Sequence, residues 1–386
     1  MNATEGHSRS FRVTPLALIL LAAVVQGGAL YGLHLALAND SWLETHPPLL
    51  LALYAVALSV PATVQLLSQH SGARPFWLFI AALGLVFGYF GWHHGSIISE
   101  RSVVDGAFEG AELGLPMVVL WLMLLPFLAT RLAHGIWSAS YHEFFTTAWR
   151  NKLLLAEAAL FTIAFWLLLL LWAMLFRSLG VDFFQELFRT PIFIYPVTAL
   201  AFGVALHLIG SVERFVGVVL EQILGLFKWL AVVAGLLLLL FSIALIAKLP
   251  GLVGSGIRII NAAWLLWLVA VMILLLNAAY RDGSGARPYP AFIATALRYI
   301  VPAMVLVALV ALYSLGVRIT EYGLTTARFW AAVVAITALV YAAGYSFSAF
   351  RARSWMEGMG RVNVGVAIAL VATIGLALTP LLSPYR

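Results

Sequence analysis

Along the chain, apolar residues run in blocks of about 20, separated by short stretches that carry the charged residues, glycines and prolines. A helix needs about 20 apolar residues to cross the hydrocarbon core of a bilayer. By that measure the pattern predicts eleven spans, at about 14–38, 49–68, 76–96, 115–133, 152–176, 190–212, 225–247, 258–280, 290–315, 328–350 and 362–382. No self-similarity at a fixed period is present, which excludes solenoids and obvious internal repeats. The predicted fold class is an all-α, polytopic integral membrane helix bundle, a single transmembrane domain over residues 1–386.

Two polar interruptions carry aromatic residues at helical spacing. In "HGIWSASYHEFFTTAWRNK", Trp137, Tyr141, Phe144, Phe145 and Trp149 fall on one face, flanked by Arg131, Arg150 and Lys152. That pattern predicts an amphipathic helix lying in the headgroup zone at 135–150. The segment "LGVDFFQELFR" predicts a second, with Phe183, Phe184, Leu187 and Phe188.

Composition agrees with the pattern. Hydrophobic residues make up 63% of the 386, and charged residues only 10%, against about 25% charged in a soluble domain. Orientation is read from Lys and Arg in the loops. With a cytoplasmic N-terminus, thirteen of the 22 basic residues lie in inside segments and eight in outside segments, Arg298 falling within a span. The first outside loop, "NDSWLETHPP", has acids and no Lys or Arg. The N-terminus is therefore predicted inside and Arg386 outside. The net charge of +6 is spread over many loops, whereas nucleic-acid binding needs a concentrated basic face. With no cysteine, disulfides, thiolate metal sites and covalent c-type haem are excluded. Arg9 and Arg12 precede the first apolar run, and Ala36-Leu37-Ala38 resembles a processing site. The run is nevertheless longer than the about 7–15 apolar residues of a signal peptide, so a retained first span is expected.

Candidate chemistry sits at the exceptions to the apolar pattern. Pro61, Pro126, Pro196 and Pro302 lie inside predicted spans. Each removes a backbone donor, as in the interrupted helices of transporters and equally in plain kinks. His34, Glu157, His207 and Arg298 are ionisable residues within spans, where burial is costly. Arg298 can snorkel toward the inner face. The loop "GWHHGSIISERSVVDGAFEGAELG" holds His93, His94, Glu100, Arg101 and Asp105, then Glu109 and Glu112. Adjacent histidines point about 100° apart on a helix, unlike the i, i+4 pair of a zinc helix. The loop is read as a solvated acidic helix with no metal. A bis-histidine haem, from His34 with His93 or His94 or from His134 with His207, has no sequence feature joining its ligands, so no cofactor is expected. Nucleophile and phosphate-cradling motifs are absent, and the glycines of "MEGMGRVN" lack a nucleotide-binding context. Gly84 and Gly88 form a small-xxx-small pair for helix packing.

The segment "YSLGVRITEYGLTTAR" joins spans nine and ten. Gly323 is suited to turning the chain and Thr325 to capping the next helix. Arg318 and Glu321, at i, i+3, are placed to pair if the helix continues. They have two readings: an interfacial salt bridge fixing spans nine and ten, or the border of an outward-facing cavity shared with the His93–Glu112 loop.

"LYSLGVRITEYGLTTARFW" resembles the signature of the bacterial inner-membrane family known as domain of unknown function 4153. "FTTAWRNKLLLAEAALFTIAFWLLLLLWAMLF", "LGVDFFQELFRTPIFIYPVTALAFGVALHL", "LLLNAAYRDG" with "RPYP", and the final "LSPYR" are similar to successive family segments. The resemblance covers roughly residues 140–386, and the spans at 14–133 match less distinctly. It implies a multi-pass protein of the bacterial inner membrane and supplies no reaction. Members similar to this chain continue past "LSPYR" into a polar region, so a C-terminal polar region is expected to be missing here, or the chain is a short member.

Three readings of function follow. The first is transport or flipping of a small or lipid-linked substrate, with membrane lipids as further partners, using His207, Arg298, Arg318 and Glu321. The second is a membrane enzyme acting on a lipid-linked envelope precursor through the acids and histidines of the 93–112 loop. The third is a scaffold docking a partner on the 135–150 helix. The leading reading is not an enzyme.

Overall fold

The computed structural model describes residues 14–39, 42–100, 106–137, 140–211, 213–255, 261–281, 288–351 and 355–385. Within them the regular elements are helices: α1 (Pro15–Ala38), α2 (Pro47–Leu67) with a 3-10 turn at Ser68–His70, α3 (Phe76–Glu100), α4 (Gly106–His134) and α5 (Tyr141–Ser178). The short α6 (Phe183–Leu187), α7 (Pro191–Ser211), α8 (Glu213–Ser255) and α9 (Ala262–Tyr280) follow. The chain closes with α10 (Ala291–Ile300), α11 (Ala303–Tyr322), α12 (Thr326–Arg351) and α13 (Trp355–Ala377). Among the described residues, eleven helical segments are long and apolar enough to cross a membrane, α10 and α11 together making the ninth. Helices satisfy every backbone group within the segment, which is what hydrocarbon demands. The chain is a multi-pass membrane protein.

The residues pack as two compact units, with divisions inside α4, α5 and α8. The first unit comprises residues up to 113, 131–136 and 151–216. Its most extensive contact is α2 against α3, followed by α1 against α7 and α2. Glycines set the α2–α3 spacing. A Cβ placed on Gly91 would stand 2.4 Å from the Leu51 carbonyl oxygen, and one on Gly95 2.4 Å from that of Pro47. A Cβ on Gly84 or Gly88 would stand 3.1 or 3.2 Å from a methyl of Val60 or Val56 respectively. The predicted Gly84–Gly88 pair is thus the upper half of a longer stripe that lets one backbone lie on another. The α1–α7 contact uses the same device. A Cβ on Gly27 would come within 2.5 Å of the Pro196 backbone, so this proline is a packing surface for α1.

The second unit comprises 114–130, 137–150 and the chain from 217 onward. Its core is formed by α9, α11 and α12 with part of α8. Val269, Met272, Leu276, Met304, Val307 and Tyr345 are among its fully buried side chains. Span nine loses its regular hydrogen bonding at Val301–Pro302, where both residues keep helical dihedrals, and α11 follows from Ala303. Tyr289, ahead of α10, donates its hydroxyl to the Lys228 carbonyl, and burial pushes its phenol above the ordinary value.

Two expectations are corrected here. The separate interfacial helix at 135–150 does not form. Tyr141–Trp149 is the first part of the continuous 38-residue α5, a length of roughly 57 Å at 1.5 Å per residue. No glycine or proline lies between Tyr141 and Ser178 to stop it. Its aromatic face packs on protein instead of headgroups. Phe144 and Phe145 are buried, Phe144 lies tilted against Phe127 with ring centroids 5.2 Å apart, and Trp149 meets Phe227 edge-on at 6.2 Å. The second correction concerns His93 and His94. They lie within α3 and are buried, at 8% and 4% exposure, not in a polar loop. Both fall inside the span expected at 76–96, and the helix carries on past them to Glu100.

Candidate functional site

Two polar features stand out in the second unit. The first is a cavity of about 900 Å³ at the end where α9 begins, α11 ends and α12 begins. Its walls include Leu266, Trp267, Leu315 and Val334, and its polar lining is Asn261, Ser314, Arg318, Glu321, Tyr322 and Arg328. Local sequence positions each of these. Asn261 caps α9, its side-chain oxygen accepting the Ala263 N–H at 3.0 Å. Arg318 and Glu321 sit one turn apart near the end of α11. Gly323, at φ +77°, turns the chain. Thr325 then caps α12, its hydroxyl accepting the Arg328 N–H at 3.4 Å. Turn and cap are as predicted.

The two cations of the cavity are used differently. Arg328 donates to the carbonyls of Tyr322 at 2.8 Å and Gly323 at 2.7 Å, and its guanidinium lies over the Tyr322 ring at 5.6 Å. It closes the C-terminal end of α11, where the carbonyls lack intrahelical partners. Arg318 is exposed and forms neither a hydrogen bond nor an ion pair with any described residue. The expected Arg318–Glu321 bridge is therefore not made, although both side chains border one space. Both residues line a cavity, though not one shared with the His93–Glu112 loop, none of whose described residues borders it.

The second feature is a buried hydrogen-bonded cluster joining α5, α9, α12 and α13. Tyr345 donates to the side-chain oxygens of Asn277, at 2.9 Å, and Asn363. Asn363 donates its amide to the Tyr141 hydroxyl at 2.6 Å and to Asn277 at 2.8 Å. Tyr141 donates to Asn277 at 3.3 Å. The Tyr141 ring fits because Gly360 has no side chain, since a Cβ there would stand 2.6 Å from it. The glycines of "MEGMGRVN" are thus seats for neighbours: Gly358 faces Ser348 in the same way. The sequence reading missed this cluster. The signal was present, as Asn277 in "LLLNAAY" and Asn363 in "RVNVGV" are amides set in apolar runs.

The remaining candidates are dispersed. Arg298 donates to the Ala349 carbonyl at 2.6 Å, so it secures α10 to α12 and does not line the cavity. His207 is half-buried on α7 in the first unit. His34 hydrogen-bonds Tyr195 at 3.4 Å, joining α1 to α7. Arg101 and Asp105 lie outside the described residues, as do the side chains of Glu100, Glu109 and Glu112. The docking surface expected at 135–150 loses Phe144, which is 9% exposed, while Trp137 remains exposed. No group of three or more metal-ligating side chains occurs among the described residues.

No model of a known protein family, no curated protein and no solved structure matches the chain.

Proposed function

We propose that this protein carries a small or lipid-linked substrate across the bacterial inner membrane, with the α9–α11–α12 cavity as its binding site. The observation that carries this reading is the cavity itself. At about 900 Å³ it falls within the roughly 300–1,000 Å³ of ligand pockets. It combines apolar walls with a few convergent polar groups, and sits in a multi-pass bundle at the end of a helical span. The span that bears Arg318 and Glu321 has its hydrogen bonding interrupted at Pro302. That interruption lies 16 residues away, roughly 24 Å along the helix. A proline-interrupted hydrogen-bond ladder in the helix that leads to the site supports a hinging carrier. The Lys and Arg bias of the loops supports a cytoplasmic N-terminus and a cavity that opens on the periplasmic end.

The reading is tested by complementation of a null mutant. Arg318→Ala and Glu321→Ala, each at normal abundance in the membrane, are expected to lose function. Leu208→Ala, exposed on α7 away from the cavity residues, is expected to retain it. Full complementation by both cavity variants would remove the carrier reading.

A further inference from the structure

We propose that the ligand of this cavity is an anionic amphiphile, a single acidic headgroup on an alkyl or isoprenyl chain, whose headgroup is held by Arg318. The proposal rests on the carrier reading and names its substrate class.

The charge balance selects the headgroup. Among the described residues, two guanidiniums, Arg318 and Arg328, and one carboxylate, Glu321, line the cavity. The 19-residue α9 and the 26-residue α12 both begin there, and a helix N-terminus carries a partial positive charge. The opposing negative end, that of α11, is already covered by the bonds from Arg328 to the Tyr322 and Gly323 carbonyls. Arg328 is thereby committed. Arg318 retains all its donors with respect to the described residues, and a guanidinium matches a carboxylate or phosphate with two parallel bonds. A cation in the same place would face two arginines with one carboxylate to offset them.

The walls select the rest of the molecule. Leu266, Trp267, Leu315 and Val334 offer no polar atoms to a hydrated inorganic anion apart from the indole N–H. An ion alone would leave those walls in contact with water. A chain attached to the headgroup covers them, and the gain scales with the apolar area removed from water. Trp267 and Tyr322 are themselves exposed at 65% and 66%, the kind of amphipathic ring found where apolar and aqueous regions meet.

Glu321 makes the proposal unusually testable. It is a like charge to the headgroup, so removing it should strengthen binding, whereas a merely structural role predicts loss or no change. The experiment is native mass spectrometry of the full chain in a neutral maltoside detergent, titrated with dodecyl phosphate. Inorganic phosphate and dodecyltrimethylammonium serve as the headgroup-only and opposite-charge probes. The expected result is one dodecyl phosphate per chain, weakened at least tenfold by Arg318→Gln and tightened several-fold by Glu321→Gln, with inorganic phosphate and the cation binding far more weakly. Equal binding of inorganic phosphate would overturn the amphiphile. Equal binding of the cationic chain, or no effect of Arg318→Gln, would overturn the acidic headgroup. The two proposals fail separately. Loss of function in the complementation test without dodecyl phosphate binding leaves a carrier of another substrate. Selective binding with full complementation leaves an anionic-lipid site that is not part of a carrier.

Discussion

Replacing Gly91 by alanine tests the closest helix contact in the first unit. The added methyl would lie 2.4 Å from the Leu51 carbonyl oxygen, 2.6 Å from its carbon and 2.8 Å from the Ala52 Cα. Carbon atoms in van der Waals contact stand about 3.5–4 Å apart. The three atoms belong to the backbone of α2, so no side chain can swing aside, and the helices must separate by about 1 Å. A radial gap of 0.5–1 Å forfeits about a quarter to a half of each contact it opens, and overpacking of this kind costs about 1–3 kcal/mol. Against this, alanine is about 0.8–1 kcal/mol better than glycine inside a helix. The net expectation is a loss of up to about 2 kcal/mol. Gly95→Ala should behave alike, since its methyl would meet Pro47 and Pro48 backbone atoms at 2.4–2.6 Å. Gly28 and Gly32 are internal controls. Nothing lies within 4 Å of a methyl on either, so alanine there should be neutral or stabilise by up to about 1 kcal/mol. The assay is reversible unfolding in mixed micelles of increasing dodecyl sulfate fraction, followed by tryptophan fluorescence. The sign change between the two classes is the prediction. Equal stability of Gly91→Ala and Gly28→Ala would refute the argument that bare backbone sets the α2–α3 distance.

Other expectations follow from the second unit. Tyr345→Phe removes the donor to the Asn363 side-chain oxygen and one of three donors to that of Asn277, and should cost about 0.6–1.7 kcal/mol, the scale of interhelical hydrogen bonds in membranes. A double-mutant cycle with Asn277→Leu in the same unfolding assay should give a coupling of at least about 0.5 kcal/mol. Arg298→Met loses the bond to the Ala349 carbonyl and should destabilise by about 1–3 kcal/mol, with no change in dodecyl phosphate binding by native mass spectrometry. Gly323→Ala places a side chain at φ +77°, ψ 171°, a glycine-only region that costs about 1–3 kcal/mol. It should reduce both the unfolding midpoint and ligand binding, because this turn joins the two helices that border the cavity.

What was legible in the sequence is what hydrocarbon enforces locally. Eleven apolar blocks became eleven spanning segments because backbone satisfaction leaves no alternative. Gly323, Thr325 and Pro302 did what their backbones dictate, a turn, a cap and an interrupted hydrogen-bond ladder. Charge and aromatic spacing were less informative. The segment at 135–150 has the composition of an interfacial helix, yet α5 is uninterrupted and buries Phe144 and Phe145 on protein. Amphipathicity reports that a face is covered, not by what. His93 and His94 fall at the end of the span expected at 76–96 and also open the polar stretch that follows; α3 carries them and buries them. The Tyr141–Asn277–Tyr345–Asn363 cluster was not legible as a unit. Its members are separated by up to 222 positions, and only tertiary packing brings four helices to one point. The cavity was half legible. Arg318 and Glu321 were recognised as the exceptional pair, but Arg328 and Asn261 entered the picture only through the arrangement of three helix ends.

The carrier reading is tested most directly by access to the cavity from each side of the membrane. The chain has no cysteine, so a single Ala331→Cys in the cavity lining reports only on that site. A membrane-impermeant maleimide is applied to right-side-out and to inside-out vesicles, and labelling is measured by mass shift. A carrier that alternates between two openings predicts labelling from both faces, with dodecyl phosphate slowing both reactions. Labelling from one face alone, however long the exposure, would contradict it and leave a one-sided binding site.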